Sequence, residues 1–169
     1  MDSAELRALQ APIKDQYRSD PDKAVITLKA QGTLDDQHIA CKVETGRALA
    51  VAGLHPASGG TGAEHCSGDM LLEALVACAG VTLKAVATAL EINLRHGAVK
   101  AEGDLDFRGT LGVDKTAPVG FRDIRLSFEV DTDAPQEKID QLLKLTERYC
   151  VVFQTLNHKP ELSVATTTA

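Results

Sequence analysis

The segment from Asp69 to Leu90 constrains the fold more than any other. After Asp69, only Glu73, Thr82, Lys84 and Thr88 interrupt an otherwise apolar run rich in Leu and Ala. Such a run forms a long helix. Ser67 is placed to cap it, and Asp69 favours the positive end of its dipole. At 100° per residue, Glu73 and Lys84 fall within about 20° of each other, with Ala77 and Gly80 on the same stripe. The remaining circumference is apolar. Two charges inside so short a stretch argue against a membrane span, so a buried central helix is expected. Nearly every side of it needs cover, and a partner subunit is the natural source of what one chain cannot supply.

The elements around this helix read as strands and shorter helices. Residues 3 to 17 suggest a short amphipathic helix broken by Pro12, and residues 1 to 18 form an N-terminal helical extension. Ala24–Leu28 opens a strand, 32 to 37 is turn-rich, and His38–Glu44 alternates in period two. Thr45-Gly46 turns the chain into Arg47–Val51. Leu54 to Gly68 holds Pro56, Gly59, Gly60, Gly62 and Gly68, too many breakers for a regular element. It is expected to be a long loop, and long loops in compact domains are often functional. Ala98–Thr110 and Phe121–Val130 predict two long alternating strands. Pro135 then opens an amphipathic helix with Ile139, Leu142, Leu143 and Thr146 inward, and Cys150 on the same face. Leu162–Ala165 predicts a last strand. The order implies one α+β domain over residues 1–169 with a mainly antiparallel sheet.

Composition narrows the function. The chain of 169 residues has no Trp, two Tyr and four Phe, so aliphatic side chains must make the core. Eighteen basic against twenty-four acidic residues give a net charge of −6. That sign disfavours nucleic acid and an anionic membrane surface as partners. The charged N-terminus, with Asp2, Glu5, Arg7 and Lys14, does not resemble an export signal, and a cytoplasmic location is expected. The four cysteines, Cys41, Cys66, Cys78 and Cys150, should then be reduced thiols. No C-x-x-C pair occurs among them.

Each cysteine, taken alone, is expected to be a small core residue. Two on the inward faces of different helices, as Cys78 and Cys150 are, can instead meet and run peroxide chemistry. A thiolate attacks the O–O bond, and the sulfenic acid so formed condenses with the second thiol. Cys66, just before the long helix, is an equal candidate on electrostatics, because the helix dipole lowers a thiol pKa there. Cys41 alternates with Lys42 and Glu44 and suits strand packing. His55, His65, Cys66 and Asp69 offer metal donors, but their spacing matches no recognised zinc pattern. No G-x-S-x-G elbow or phosphate loop is present.

Ser67-Gly68-Asp69-Met70-Leu71-Leu72-Glu73-Ala74-Leu75-Val76-Ala77-Cys78 resembles the first-cysteine helix of the OsmC/Ohr (organic hydroperoxide resistance) superfamily. Glu147 to Leu156, around Cys150, is similar to the second-cysteine motif, and His55-Pro56 with Gly59-Gly60 resembles the loop entering the helix. The resemblance runs from about residue 11 onward. It implies antiparallel sheets wrapped around the central helix and an intertwined homodimer with active sites at the subunit boundary. It also implies reduction of small hydrophobic hydroperoxides by Cys78, the attacking thiol, and Cys150, the resolving one, with no metal or cofactor and an external thiol reductant. The chain departs from the family at three places. Gly68 stands at the position of a family glutamate, with Asp69 next. No arginine lies in 32 to 37, Arg18 and Arg47 being the nearest. Val151 replaces the proline common after the second cysteine. These departures also allow a divergent member that binds a small hydrophobic ligand in the dimer cleft without catalysis.

Overall fold

The computed structural model describes residues 2–19, 31–34, 40–44 and 49–168. In chain order its elements are α1 (Ser3–Ser19), β1 (Gln31–Leu34), β2 (Ala40–Glu44), β3 (Leu49–Gly53), a 3-10 turn (Pro56–Ser58), β4 (His65–Cys66) and α2 (Ser67–Ala89). Then come β5 (His96–Leu105), α3 (Phe107–Thr110), β6 (Phe121–Asp131), α4 (Gln136–Tyr149) and α5 (Val151–Asn157). One sheet has the order β1-β2-β3-β4, antiparallel except for β3 and β4, and β5 pairs antiparallel with β6 in a second sheet. The architecture is α+β.

The β5–β6 ribbon explains where the core lies. Along β5, Val99, Ala101, Gly103 and Leu105 face inward, and along β6 Phe121, Ile124, Leu126, Phe128 and Val130 do the same. Helix α2 lays Leu75, Ala79, Leu83 and Ala87, spaced four apart, onto that face. Four-residue spacing puts these side chains on one stripe. From α4, Leu142 closes the Leu83–Ala87 end, while Cys150 closes the Leu75–Ala79 end. Burying a leucine of this kind stabilises the fold by about 1.5–3 kcal/mol. Gly103 is required for the arrangement, since a Cβ there would come within 2.5 Å of the Phe121 ring that crosses over it.

Several expectations are corrected. Helix α2 is buried on one stripe only: Leu71, Ala74 and Ala77 are exposed, and Val81 is 74% exposed. It is long and apolar enough to cross a membrane by length and composition, but its Leu75–Ala87 stripe is spent on the ribbon and α4. Ser67 does not cap α2. The N-cap is Cys66, which is held extended because β4 still pairs with Ala52 and Gly53 of β3. Pro12 does not break α1, because the carbonyl it leaves without a partner belongs to exposed Ala8 and can be met by water. Residues 32–34, expected as part of a turn-rich segment, instead form β1 together with Gln31, with Gly32 opposite Val43, so cross-strand pairing outweighs weak local preference.

The predicted strand 98–110 ends at Leu105, where the Asp106 side chain accepts from the Arg108 N–H and starts a helical turn. The expected last strand, Leu162–Ala165, is not formed. Residues 159–168 carry no regular structure, and Val164 is 99% exposed. Its period-two pattern meets no partner edge among the described residues. The expectations for Ala24–Leu28, residues 35–37, Thr45-Gly46 and Arg47 lie outside the described residues, as does the side chain of Arg18.

Candidate active site

Helix α4 ends at Cys150, whose extended backbone (φ −73, ψ 106) both closes α4 and opens α5. The junction is fastened from two sides. The Cys150 N–H donates to the Thr146 carbonyl at 3.0 Å, and the Gln154 side-chain amide reaches back to the Glu147 carbonyl at 2.8 Å. Thr146 is fully buried, and its hydroxyl donates to the Leu142 carbonyl at 2.8 Å. Because α4 stops here, Cys150 points into the core beside Leu75 and Ala79 and is 1% exposed. Helix α5 was not foreseen: residues 151–157 are too few to show a period.

Cys78 sits mid-way along α2, half-buried, against the same cluster. The structure therefore brings together the two cysteines that lie 72 positions apart in the chain. Burial opposes ionisation of Cys78, but hydrogen bonds outweigh it and hold the thiol below its ordinary value. The donors are the Val152 N–H, the Cys150 thiol, the Val151 N–H and the Thr82 hydroxyl. The Thr82 proton also serves the Cys78 carbonyl at 2.8 Å, and one proton meets one acceptor at a time, so Thr82 contributes least. The two valine amides open α5, where first-turn N–H groups have no partner within the helix. For Cys150, burial raises the thiol above its ordinary value. Donation of its proton to Cys78 adds to the rise, and the Phe153 N–H offsets it only in part. The two neighbouring thiols are thus shifted in opposite directions, Cys78 down and Cys150 up.

This arrangement answers the departures noted in the sequence. A proline at position 151 would have no N–H, whereas Val151 supplies one to Cys78. Among the described residues, the polarisation of Cys78 comes from two backbone amides, a thiol and a hydroxyl, with no arginine among the donors.

Beside the pair, a groove of about 350 Å³ runs between β6 and α5. Leu75, Ile124, Leu126 and Phe153 are shared by its wall and the Cys150 cluster, and Arg122, Asp123 and Asn157 stand at its polar rim.

Cys66 is separated from the pair. It caps the start of α2, and twelve residues of helix place it about 18 Å along the axis from Cys78. With His55 it lines a second cavity of about 320 Å³. His55 Nδ1 accepts from the Ala57 N–H at 3.0 Å, and its ring stacks on Phe107 at 5.1 Å. Among the described residues no group of three His, Cys, Asp or Glu side chains could hold a metal ion, so the loop donors are not gathered into a metal site. The backbone of Cys41 lies in β2, opposite Leu34 and Ala52.

A profile of the family described as OsmC-like protein matches residues 60–165. No curated protein matches the sequence. Among solved structures, the chain is similar to the OsmC-like protein of Mycoplasma pneumoniae, with 17% identity and a TM-score of 0.65 over 79% of this chain and 89% of that one. It is similar to the organic hydroperoxide resistance protein OsmC of Legionella pneumophila, with 16% identity and a TM-score of 0.61 over 79% and 91%. A third likeness is to the organic hydroperoxide resistance protein OhrB of Bacillus subtilis, with 19% identity and a TM-score of 0.52 over 78% and 93%. At these identities the structures attest a common fold. With a family match over more than half its length, the chain belongs to the OsmC-like family.

Proposed function

We propose that the protein is a thiol peroxidase reducing organic hydroperoxides, with Cys78 as nucleophile and Cys150 as resolving thiol. The observation that carries this reading is that Cys78 of α2 and Cys150 at the α4–α5 junction pack in one buried cluster. The opposite shifts of the two thiols, Cys78 lowered and Cys150 raised, support it. In the first step the Cys78 thiolate attacks the terminal oxygen of the hydroperoxide. The O–O bond breaks, Cys78 becomes a sulfenic acid, and the alkoxide leaves as an alcohol after taking a proton. In the second step Cys150 sulfur displaces the sulfenic oxygen as water and forms a disulfide. An external dithiol then returns two electrons and two protons to the cysteines.

We read the protein further as a homodimer of single-domain subunits. Leu71, Ala74, Ala77 and Val81 leave one face of α2 uncovered, and a second copy of that face is the complementary surface. The free thiols suit a reducing compartment, the cytoplasm.

Stopped-flow oxidation with cumene hydroperoxide tests the reading. Wild type should turn over with a dithiol reductant, and Cys78→Ser should be inert. Cys150→Ser should accumulate a sulfenic acid that dimedone traps. Retention of the Cys78 thiol at millimolar peroxide would overturn the assignment.

The groove supports a second reading, a non-catalytic protein that binds a small hydrophobic ligand. Native mass spectrometry separates the two, because a stoichiometric ligand with inert thiols favours binding alone.

A further inference from the structure

We infer that Arg122 is a specificity-determining residue, gripping the carboxylate of an amphipathic ligand whose apolar chain lies in the β6–α5 groove. The inference rests on the proposed peroxidase reading only for what happens at the cysteine end of the groove.

The first observation is backbone geometry. Leu105 pairs with Phe121 and Asp104 with Asp123, so Arg122 is the extra residue of a β-bulge. Without the bulge, strict alternation from Ile124 would turn position 122 inward. Instead Phe121 and Ile124 both face the core while Arg122 and Asp123 stand together at the surface. Bulges re-aim a side chain in this way, and they are over-represented next to functional sites. Here the re-aimed side chain is an arginine on the rim of the groove.

The second observation concerns pairing. Arg108 is held by Asp106 and Asp114, Arg95 by Asp131 and Asp133, and Arg125 by Asp104 and Asp123. Among the described residues, Arg122 has only an edge contact with Asp106 at 4.0 Å, and Asp106 already binds Arg108 at 2.6 Å. Its planar fork of donors is therefore available to a carboxylate, which it can hold by two parallel hydrogen bonds. Around it, Asp104, Asp106, Asp114 and Asp123 outnumber Arg108, Arg122 and Arg125. The corner thus attracts no anion from a distance, and recognition must come from the short bidentate contact.

The third observation is distance. From Arg122 to Leu126 the strand advances about 13 Å. Leu126 and Ile124 wall the groove and also pack on the cluster holding Cys150 and Cys78. A ligand anchored at Arg122 therefore lays its chain toward the thiols, with the acid at one end of the groove and the reacting group near the other.

The test uses the full chain with octanoate and methyl octanoate as probes in calorimetry, and a carboxylate-bearing alkyl hydroperoxide with its methyl ester in kinetics. Arg122 is exposed, so Arg122→Gln and Arg122→Lys should fold as wild type does. Arg122→Gln should weaken octanoate binding about tenfold and leave methyl octanoate unchanged, and Arg122→Lys should fall between, as loss of one charged hydrogen-bond pair predicts. With the hydroperoxides, the loss should appear in KM for the acid alone. Equal octanoate affinity in wild type and Arg122→Gln, or no binding to either, would overturn the inference. Discrimination of octanoate by Arg122 alongside thiols inert to every peroxide would sustain the ligand assignment while removing the peroxidase reading.

Discussion

At the scale of single residues, the chemistry turns on which sulfur carries the charge. Hydrogen bonding lowers Cys78 and burial raises Cys150. Alkylation of Cys78 by iodoacetamide should therefore reach half its limiting rate at a lower pH than an ordinary thiol. Cys150→Ala removes a donor and should move that midpoint upward, whereas Cys150→Ser keeps a hydroxyl donor and should move it less. Val151→Pro is a sharper probe. Proline is well tolerated in the first position of a helix, so the main loss is one N–H directed at Cys78. The midpoint should again rise, with the circular dichroism spectrum unchanged, and an unaltered midpoint would discount the amide. Stability should follow the same groups. Cys78, with its folded value lowered, contributes stability above its unfolded value and loses it as pH falls through the folded one. Cys150, with its folded value raised, contributes below its unfolded value and loses it as pH rises through the folded one.

At the scale of elements, the periodic segments were legible in the sequence and the tertiary ones were not. Helix α4 and the β5–β6 pair follow from hydrophobic spacing, because burial of one face repeats along each of them. Helix α2 follows instead from its long Leu- and Ala-rich run, which does not reveal the single stripe it buries. Helix α5 is too short to display a period, β1 exists through its pairing with β2, and the Leu162–Ala165 pattern joins no edge among the described residues. The cysteine pair could be suspected, since both thiols fall on inward faces. Its electrostatics could not, because two of the donors to Cys78 are the Val151 and Val152 backbone amides, which leave no trace in side-chain identity. The bulge at Arg122 was equally hidden, since register is a property of two strands together. Packing makes its own prediction. Leu142 is fully buried between α2 and the ribbon, and Leu142→Ala should cost about 2–5 kcal/mol in denaturant unfolding. A cost near zero would mean that α4 does not close the core.

For the whole molecule, the uncovered face of α2 matters most. Its apolar residues Leu71, Ala74, Ala77 and Val81 are exposed in the single chain, and the proposed dimer would cover them. Val81→Asp places a charge on that face and should shift the mass in sedimentation from two chains to one. A wild type that sediments as a monomer would contradict the proposed assembly. The dimer and the redox pair are separable, because Cys78 and Cys150 belong to the same chain and meet within it. The central claim is that they form one reactive unit. Peptide mapping after one equivalent of cumene hydroperoxide tests it most directly. The account predicts a Cys78–Cys150 disulfide with Cys66 left as a free thiol. It is contradicted if Cys78 stays reduced, or if its partner in the disulfide is Cys66.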